Sequence, residues 1–128
     1  MIYVDSSVVL ARILLEDRRP PETLWQERPT SSRLLQYEVW NRVHARGLGQ
    51  SHETEVNAIL ARIGLTAMTE LILARALEPW PISIRTLDAL HLATIEFLRG
   101  QSEAVELASY DNRLLAAARA LGIAIAAL

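Results

Sequence analysis

Short apolar runs alternate along the chain with longer segments in which apolar residues recur at helical spacing. The apolar runs predict strands at 2–4, 105–109 and 123–128, with weaker candidates at 29–33 and 65–68. Helical spacing predicts helices over 8–15, 34–46, 51–63, 69–77, 86–98 and 112–121, with one or two helical turns over 22–28. This alternation indicates an α/β fold with a mainly parallel sheet.

Polar residues and glycines mark the ends of these predicted elements. Ser51, Thr86 and Asp111 are candidate N-caps, and Gly47 and Gly122 lie just past predicted helix ends, where glycine often terminates a helix. No internal repeat, low-complexity segment or linker interrupts the 128 residues. We therefore expect a single domain over residues 1–128.

The composition narrows the possible chemistry. All 13 basic residues are arginine, and the sequence contains neither lysine nor cysteine. This excludes a lysine-bearing phosphate loop, Schiff-base catalysis, a thiol nucleophile and thiolate-bound zinc. The formal net charge of −2 argues against a broad basic face for long nucleic acids. It does not exclude a nuclease that holds a short segment through local arginines and a metal ion.

Targeting and membrane segments are not expected. The N-terminus lacks a basic region followed by an apolar stretch, as a signal peptide would have. No apolar run approaches the ~18 residues needed to span a bilayer. We expect a soluble cytoplasmic protein that does not associate with membranes, and the absence of cysteine is compatible with that compartment.

Four acidic residues are the candidates for chemistry. Asp5 and Asp111 each follow a short apolar strand and precede a helix, and ligands of open parallel sheets bind beyond the carboxyl ends of the strands. These two carboxylates are therefore expected to share one crevice. Asp88 lies in the first turn of its helix, from which a preceding loop could bring it to the same edge. Glu38 lies on or beside an apolar helical stripe, where an unpaired charge is costly.

Each carboxylate also has a purely structural explanation. Asp111 could be only an N-cap, Asp88 only an acid that complements the helix dipole, and Glu38 only an exposed residue. Asp5 is harder to explain, because a carboxylate directly after a buried strand has little structural use. Four converging carboxylates would raise one another's pKa, and a divalent cation with oxygen ligands relieves that repulsion. Mg²⁺ suits such a site.

The residues around these acids resemble those of the PIN-domain ribonucleases, in particular the VapC-type toxins of toxin–antitoxin pairs. The resemblance covers nearly the whole chain, although the stretch 47–83 carries no motif of the family. It rests on Glu38 and on three segments: Tyr3-Val4-Asp5-Ser6-Ser7, Thr86-Leu87-Asp88-Ala89-Leu90-His91-Leu92-Ala93 and Ser109-Tyr110-Asp111-Asn112-Arg113-Leu114. It implies a three-layer α/β/α PIN-like sandwich around a mainly parallel sheet of about five strands.

The resemblance also implies a site, a reaction and partners. Two serines, Ser6 and Ser109, would orient waters or a carboxylate. The implied activity is that of a toxin endoribonuclease, a hydrolase that cleaves RNA phosphodiester bonds by metal-activated water. The implied partners are the RNA substrate, a cognate VapB-type antitoxin and a second copy in a homodimer. The catalytic and metal-binding quartet, holding Mg²⁺ or Mn²⁺, would be Asp5, Glu38, Asp88 and Asp111.

Three further residues lie close to the acids in sequence. Arg85 and Arg113 are candidates for bidentate contacts to RNA phosphates, and a solvated charge or an ion pair with a nearby acid is the alternative for each. His91 follows Asp88 by one helical turn. We interpret it as a histidine packed beneath the site rather than as a metal ligand.

Two other function classes remain as alternatives. The first is a catalytically degenerate PIN-like module that acts only through protein partners, which four intact acids disfavour. The second is a phosphohydrolase or receiver domain of another α/β family. The absence of lysine and of an Asp-x-Asp pair after the first strand argues against the second.

Overall fold

Strands and helices alternate along the chain, as the hydrophobic pattern predicts. The computed structural model describes residues 1–101 and 104–128. Its elements are β1 (Ile2–Val4), α1 (Ser6–Ile13), α2 (Thr23–Gln26), β2 (Thr30–Ser32), α3 (Leu34–Ala45), α4 (Glu53–Leu60), β3 (Gly64–Thr66), α5 (Glu70–Ala76), α6 (Thr86–Gly100), β4 (Glu106–Ala108), α7 (Asn112–Ala120) and β5 (Ala124–Ile125). The weak strand candidates are both real strands, and β5 is shorter than its apolar run.

The strands form a parallel five-stranded sheet with the order β3-β2-β1-β4-β5. The first strand of the chain is therefore the central one. In the register of the sheet, Tyr3 pairs with Thr30 of β2 on one side and with Leu107 of β4 on the other. Because β1 and β4 are adjacent and parallel, the residues that follow them meet at the same edge of the sheet.

Helices cover both faces of this sheet and create two hydrophobic cores. Val4 contributes to the core beneath α1, α3 and α4, whereas Tyr3 contributes to the core beneath α6 and α7. Neighbouring residues of a strand point to opposite faces, so β1 serves both layers. Trp25 is a large buried side chain of the first core, and Leu92 of the second. This arrangement confirms the three-layer sandwich.

The longest helix, α6, places polar side chains against the sheet. It spans 15 residues and extends to Gly100, past the predicted end. Its N-cap is Arg85 rather than Thr86, which already has helical backbone. Asp88 and His91, three residues apart on one face, are both buried. In the part of the chain that the structure describes, no helix has the length and apolar character required to cross a bilayer.

The position of β4 inside the sheet, between β1 and β5, leads to a test of the fold. Leu107 is completely buried in the core beneath α6 and α7. Leu107→Ala should therefore lower the free energy of unfolding by about 2–5 kcal/mol. Urea denaturation followed by circular dichroism measures this loss. Leu77→Ala, at a side chain that is 89% exposed, is the control and should change stability little. Equal losses in the two variants would contradict this packing.

Candidate active site

Asp5 lies at the end of the central strand and is almost completely buried. Its carboxylate accepts two hydrogen bonds, from Ser7 Oγ to Oδ1 at 2.7 Å and from Ser109 Oγ to Oδ2 at 3.0 Å. Burial raises the pKa of Asp5 to about 6, and these hydrogen bonds and the nearby His91 limit that rise. Both carboxylate oxygens are therefore held by hydroxyl groups of the protein.

The hydroxyl that follows Asp5 and holds its carboxylate belongs to Ser7, not to Ser6. Successive helical residues point about 100° apart around the axis, so only one of the two serines can face Asp5. Ser7 Oγ also accepts a hydrogen bond from the backbone nitrogen of Tyr110 at 2.9 Å. Ser7 thus holds this carboxylate in the described structure, and the expectation that Ser6 orients waters or a carboxylate stays a prediction. Ser109, which follows β4, contacts Asp5 directly and accepts from Asp111 N at 2.9 Å.

Arg85 joins two of the candidate acids. Its Nε donates to Asp88 Oδ2 at 3.0 Å, and its Nη2 donates to Asp111 Oδ2 at 2.8 Å. The hydrogen bond and charge of Asp88, followed by those of Asp111, raise the pKa of Arg85. The other oxygen of Asp111 caps α7 by accepting from the backbone nitrogens of Arg113 and Leu114. Asp111 is thus both an N-cap and a member of the cluster.

Glu38 is linked to the buried layer through His91. The distance from His91 Nε2 to Glu38 Oε1 is 2.6 Å, and that from His91 Nδ1 to Tyr3 Oη is 2.7 Å. Burial raises the pKa of Tyr3, so its hydroxyl keeps its proton and can donate to Nδ1. Nε2 then carries the ring proton and donates to the carboxylate, which only accepts when ionised. His91 is 2% exposed and lies beneath the site, in agreement with its interpretation as a packed histidine.

The two candidate arginines have different environments. Arg85 forms ion pairs with the neighbouring acids, which is the alternative that its sequence position left open. Arg113 is exposed and has no ion pair with any residue that the structure describes. Both arginines and Asp88 line a cleft of about 410 Å³ beside the acids. Of the two arginines of this cleft, Arg113 is therefore the one without an ion pair among the described residues.

Sequence reasoning missed Ser7 and Tyr3 as residues of the site. A signal for Tyr3 was present, because residues two apart on a strand share a face and Tyr3 therefore lies on the side of Asp5. Asp88 and His91 similarly share a face of α6. Ser7 carried no signal of this kind, since the choice between two adjacent serines depends on how α1 is rotated against the sheet.

Comparison with known proteins identifies the family of this chain. A model of the PIN domain matches residues 2–120. The chain belongs to the PIN-domain family. Ribonuclease VapC46 of Mycobacterium tuberculosis is 32% identical over 98% of this chain and 96% of its own. Ribonuclease VapC47 of the same organism is 30% identical over the same shares of the two chains.

The PIN-domain fold is also found in solved structures. A chain of a toxin–antitoxin complex from Klebsiella pneumoniae superposes with a TM-score of 0.63 over 91% of each chain. Its sequence is 16% identical to this one, so the likeness concerns the fold. This chain is similar to relatives named as VapC ribonucleases over nearly their full length, as its motifs predict.

The acids of this PIN domain suit a divalent cation by their chemistry. Carboxylate oxygens are the ligands that Mg²⁺ and Mn²⁺ prefer. Among residues 1–101 and 104–128, no three acidic, histidine or cysteine side chains are grouped closely enough to hold a metal ion in this conformation. The guanidinium of Arg85 instead bridges Asp88 and Asp111, which shows that a cation is favourable at this position. The donor atoms at this edge therefore match a divalent cation in their chemistry, and its binding stays a prediction.

The raised pKa of Asp5 predicts a pH-dependent stability. It lies above the usual 3.8, so the native protein binds more protons than the unfolded chain between about pH 4 and pH 6. The free energy of unfolding therefore falls as pH rises through this window. In metal-free buffer, Asp5→Asn should be more stable than the natural protein above pH 6, by up to about 3 kcal/mol, with no such gain below pH 4.

Urea denaturation across that pH range measures the difference. The matched control is Glu106→Gln, at an exposed acid on the opposite end of β4, and it should keep the pH profile of the natural protein because Asp5 is retained. A difference between Asp5→Asn and the natural protein that stays constant from pH 4 to pH 7 would contradict the raised pKa.

Proposed function

We propose that this PIN-domain protein is a metal-dependent endoribonuclease that acts as the toxin of a type II toxin–antitoxin pair. The observation that carries the proposal is the convergence of Asp5, Asp88 and Asp111 at one edge of the sheet, linked by Ser109 and Arg85. The names of the relatives, Ribonuclease VapC46 and VapC47, support a nuclease. The toxin–antitoxin complex among its structural neighbours supports the toxin role.

We infer that Asp5, Asp88 and Asp111 would hold a Mg²⁺ or Mn²⁺ ion, with Glu38 beside them. When bound, the ion would act as a Lewis acid towards the phosphate and lower the pKa of a water. Ser7 and Ser109 hold the Asp5 carboxylate in a fixed orientation, which limits the cost of organising the site. His91 fixes Glu38 in the same way.

Arg85 has a second role in this proposal. Its guanidinium balances Asp88 and Asp111 while no metal is bound, and it is about half exposed, so it is able to swing outward. Once displaced, it would lie next to the scissile phosphate, to which a guanidinium can donate two hydrogen bonds. Because the chain has no lysine, arginine side chains must supply this contact.

Exposed apolar side chains support the proposed protein partners. Tyr37, Leu71 and Leu77 are 66%, 67% and 89% exposed. Such positions suit an apolar helix of an antitoxin or the second copy of a homodimer. An antitoxin that covered the acidic edge would silence the enzyme.

Replacing an acid of the cluster tests the proposed activity. Asp88→Asn should reduce the cleavage of RNA in the presence of Mn²⁺ by at least about 100-fold, because it removes a negatively charged ligand of the ion that would stabilise the charge on the phosphate. Gel-resolved cleavage of a labelled RNA measures the rate. Glu106→Gln, an exposed acid at the far end of β4, should cleave at the natural rate. Undiminished cleavage by Asp88→Asn would favour the degenerate binding module or a contaminating nuclease.

Arg85→Ala tests whether the guanidinium competes with the metal ion. Without Arg85, both Asp88 and Asp111 lose an ion pair with a half-exposed arginine, so Mn²⁺ affinity should increase by a few-fold to about tenfold. The KM for RNA should increase at the same time, because the contact to phosphate is lost. Titration calorimetry and cleavage kinetics measure the two effects. Arg119→Ala, at the far end of α7, should alter neither. Weaker Mn²⁺ binding by Arg85→Ala would contradict the competition.

A further inference from the structure

A second cleft with several arginines opens next to the acids, in the layer of α1 and α3. We name it the arginine cleft; its volume is about 240 Å³, and the residues used below are Ser7, Glu16, Arg18, Arg42, Arg46 and Tyr110. The cleft of about 410 Å³ that Arg85 and Arg113 line is on the other face of the sheet. This follows because α1 and α3 cover one face of the sheet, whereas α6 and α7 cover the other. The acidic edge therefore has a cationic cleft on each side.

The arginine cleft carries an excess of positive charge in a protein whose net charge is −2. Arg42 lies in the last turn of α3, and Arg46 is the C-cap of that helix, four residues later, so both side chains lie at the same end of the helix. Both are exposed, and neither is paired with an acid in residues 1–101 and 104–128. Three guanidinium groups face a single acid, Glu16, in this cleft.

The third arginine is held in place by the aromatic residue of the cleft. Arg18 Nη2 donates to the backbone carbonyl of Tyr110 at 3.2 Å, and its guanidinium carbon lies 4.8 Å from the centre of the Tyr110 ring. This contact orders a long side chain on the otherwise exposed turn after α1, so less entropy is lost when it binds an anion.

The cleft is continuous with the acidic cluster. Ser7 lines the cleft and donates to Asp5 Oδ1, and the backbone nitrogen of Tyr110 donates to Ser7 Oγ. Tyr110 also lies between Ser109 and Asp111 in sequence. A polyanionic chain in the cleft would therefore reach the carboxylates without crossing another element.

We propose that the arginine cleft binds backbone phosphates of the RNA strand on one side of the scissile bond. This inference rests on the proposed nuclease function. Arg42 and Arg46 contact successive phosphates, and Arg18 faces the nucleotide nearest the acids. The strand then crosses the edge of the sheet towards Arg113. An acidic peptide is a less suitable occupant, because the cleft is lined by Ser7, which contacts Asp5 directly, and a substrate of the acids must pass this point.

Salt-dependent binding provides the test. A labelled single-stranded RNA of about 12 nucleotides is titrated with protein in EDTA, which prevents cleavage, and fluorescence anisotropy is measured at several salt concentrations. Each lost phosphate contact reduces the slope of log affinity against log salt by about 0.7. The double variant Arg42→Ala with Arg46→Ala should reduce the slope by about 1.4 and weaken binding at low salt by about tenfold or more.

Two matched variants serve as controls. Arg62→Ala with Arg119→Ala removes the same charge from the ends of α4 and α7, at the opposite edge of the sheet, and should leave the slope unchanged. Arg42→Lys with Arg46→Lys should retain most of the slope, because lysine also neutralises phosphate. If both alanine double variants lose the slope equally, the effect is net charge and the proposal is overturned.

The outcomes separate this proposal from the proposed function. Suppose that the natural protein cleaves RNA and Asp88→Asn does not, but that the Arg42 and Arg46 variants bind RNA normally. The nuclease function is then supported, and the proposal that the arginine cleft binds RNA is overturned. If the natural protein neither binds nor cleaves RNA, both proposals fall. Loss of slope only in the Arg42 and Arg46 alanine variant supports the cleft as an RNA site.

Discussion

The carboxylate of Asp5 is buried at the end of the central strand, close to two other acids, and the protein has to stabilise it there. Hydroxyl groups of Ser7 and Ser109 donate to both of its oxygens, and the guanidinium of Arg85 balances Asp88 and Asp111. These contacts tie together α1, the turn after β4, and the start of α6. The arrangement of the whole edge therefore depends on how this concentrated negative charge is compensated.

Much of the fold follows from local patterns in the sequence. Apolar runs and helical spacing are local properties, so they predict the strands and helices well. The meeting of Asp5 and Asp111 needs only parallel strands that end at one edge. The order of the strands in the sheet cannot be predicted in this way, because strands of three residues such as β2 and β4 contain too little pattern to specify a neighbour. Tertiary packing decides that β1 is central.

The site was less predictable where side-chain rotation matters. The choice of Ser7 over Ser6 depends on the rotation of α1, and the position of Asp88 depends on the path of the chain before α6. The ion pairs of Arg85 with Asp88 and Asp111 depend on the same stretch of chain before α6. Arg42 and Arg46 could have been recognised by their four-residue spacing in the helix predicted over 34–46. Nothing in the sequence indicates, however, that this face of α3 lies beside Asp5.

The lack of lysine gives the arginines of this chain an additional consequence. A guanidinium does not lose its proton near neutral pH, so Arg85 remains a cation whether it balances the acids or faces solvent. A metal ion that displaces it therefore adds positive charge to the edge without removing any. With Arg113 on one face and Arg42 and Arg46 on the other, a modest net charge of −2 is compatible with a local field that attracts phosphate. The positions of the 13 arginines on the surface, rather than the net charge of the whole protein, determine which polyanion can approach.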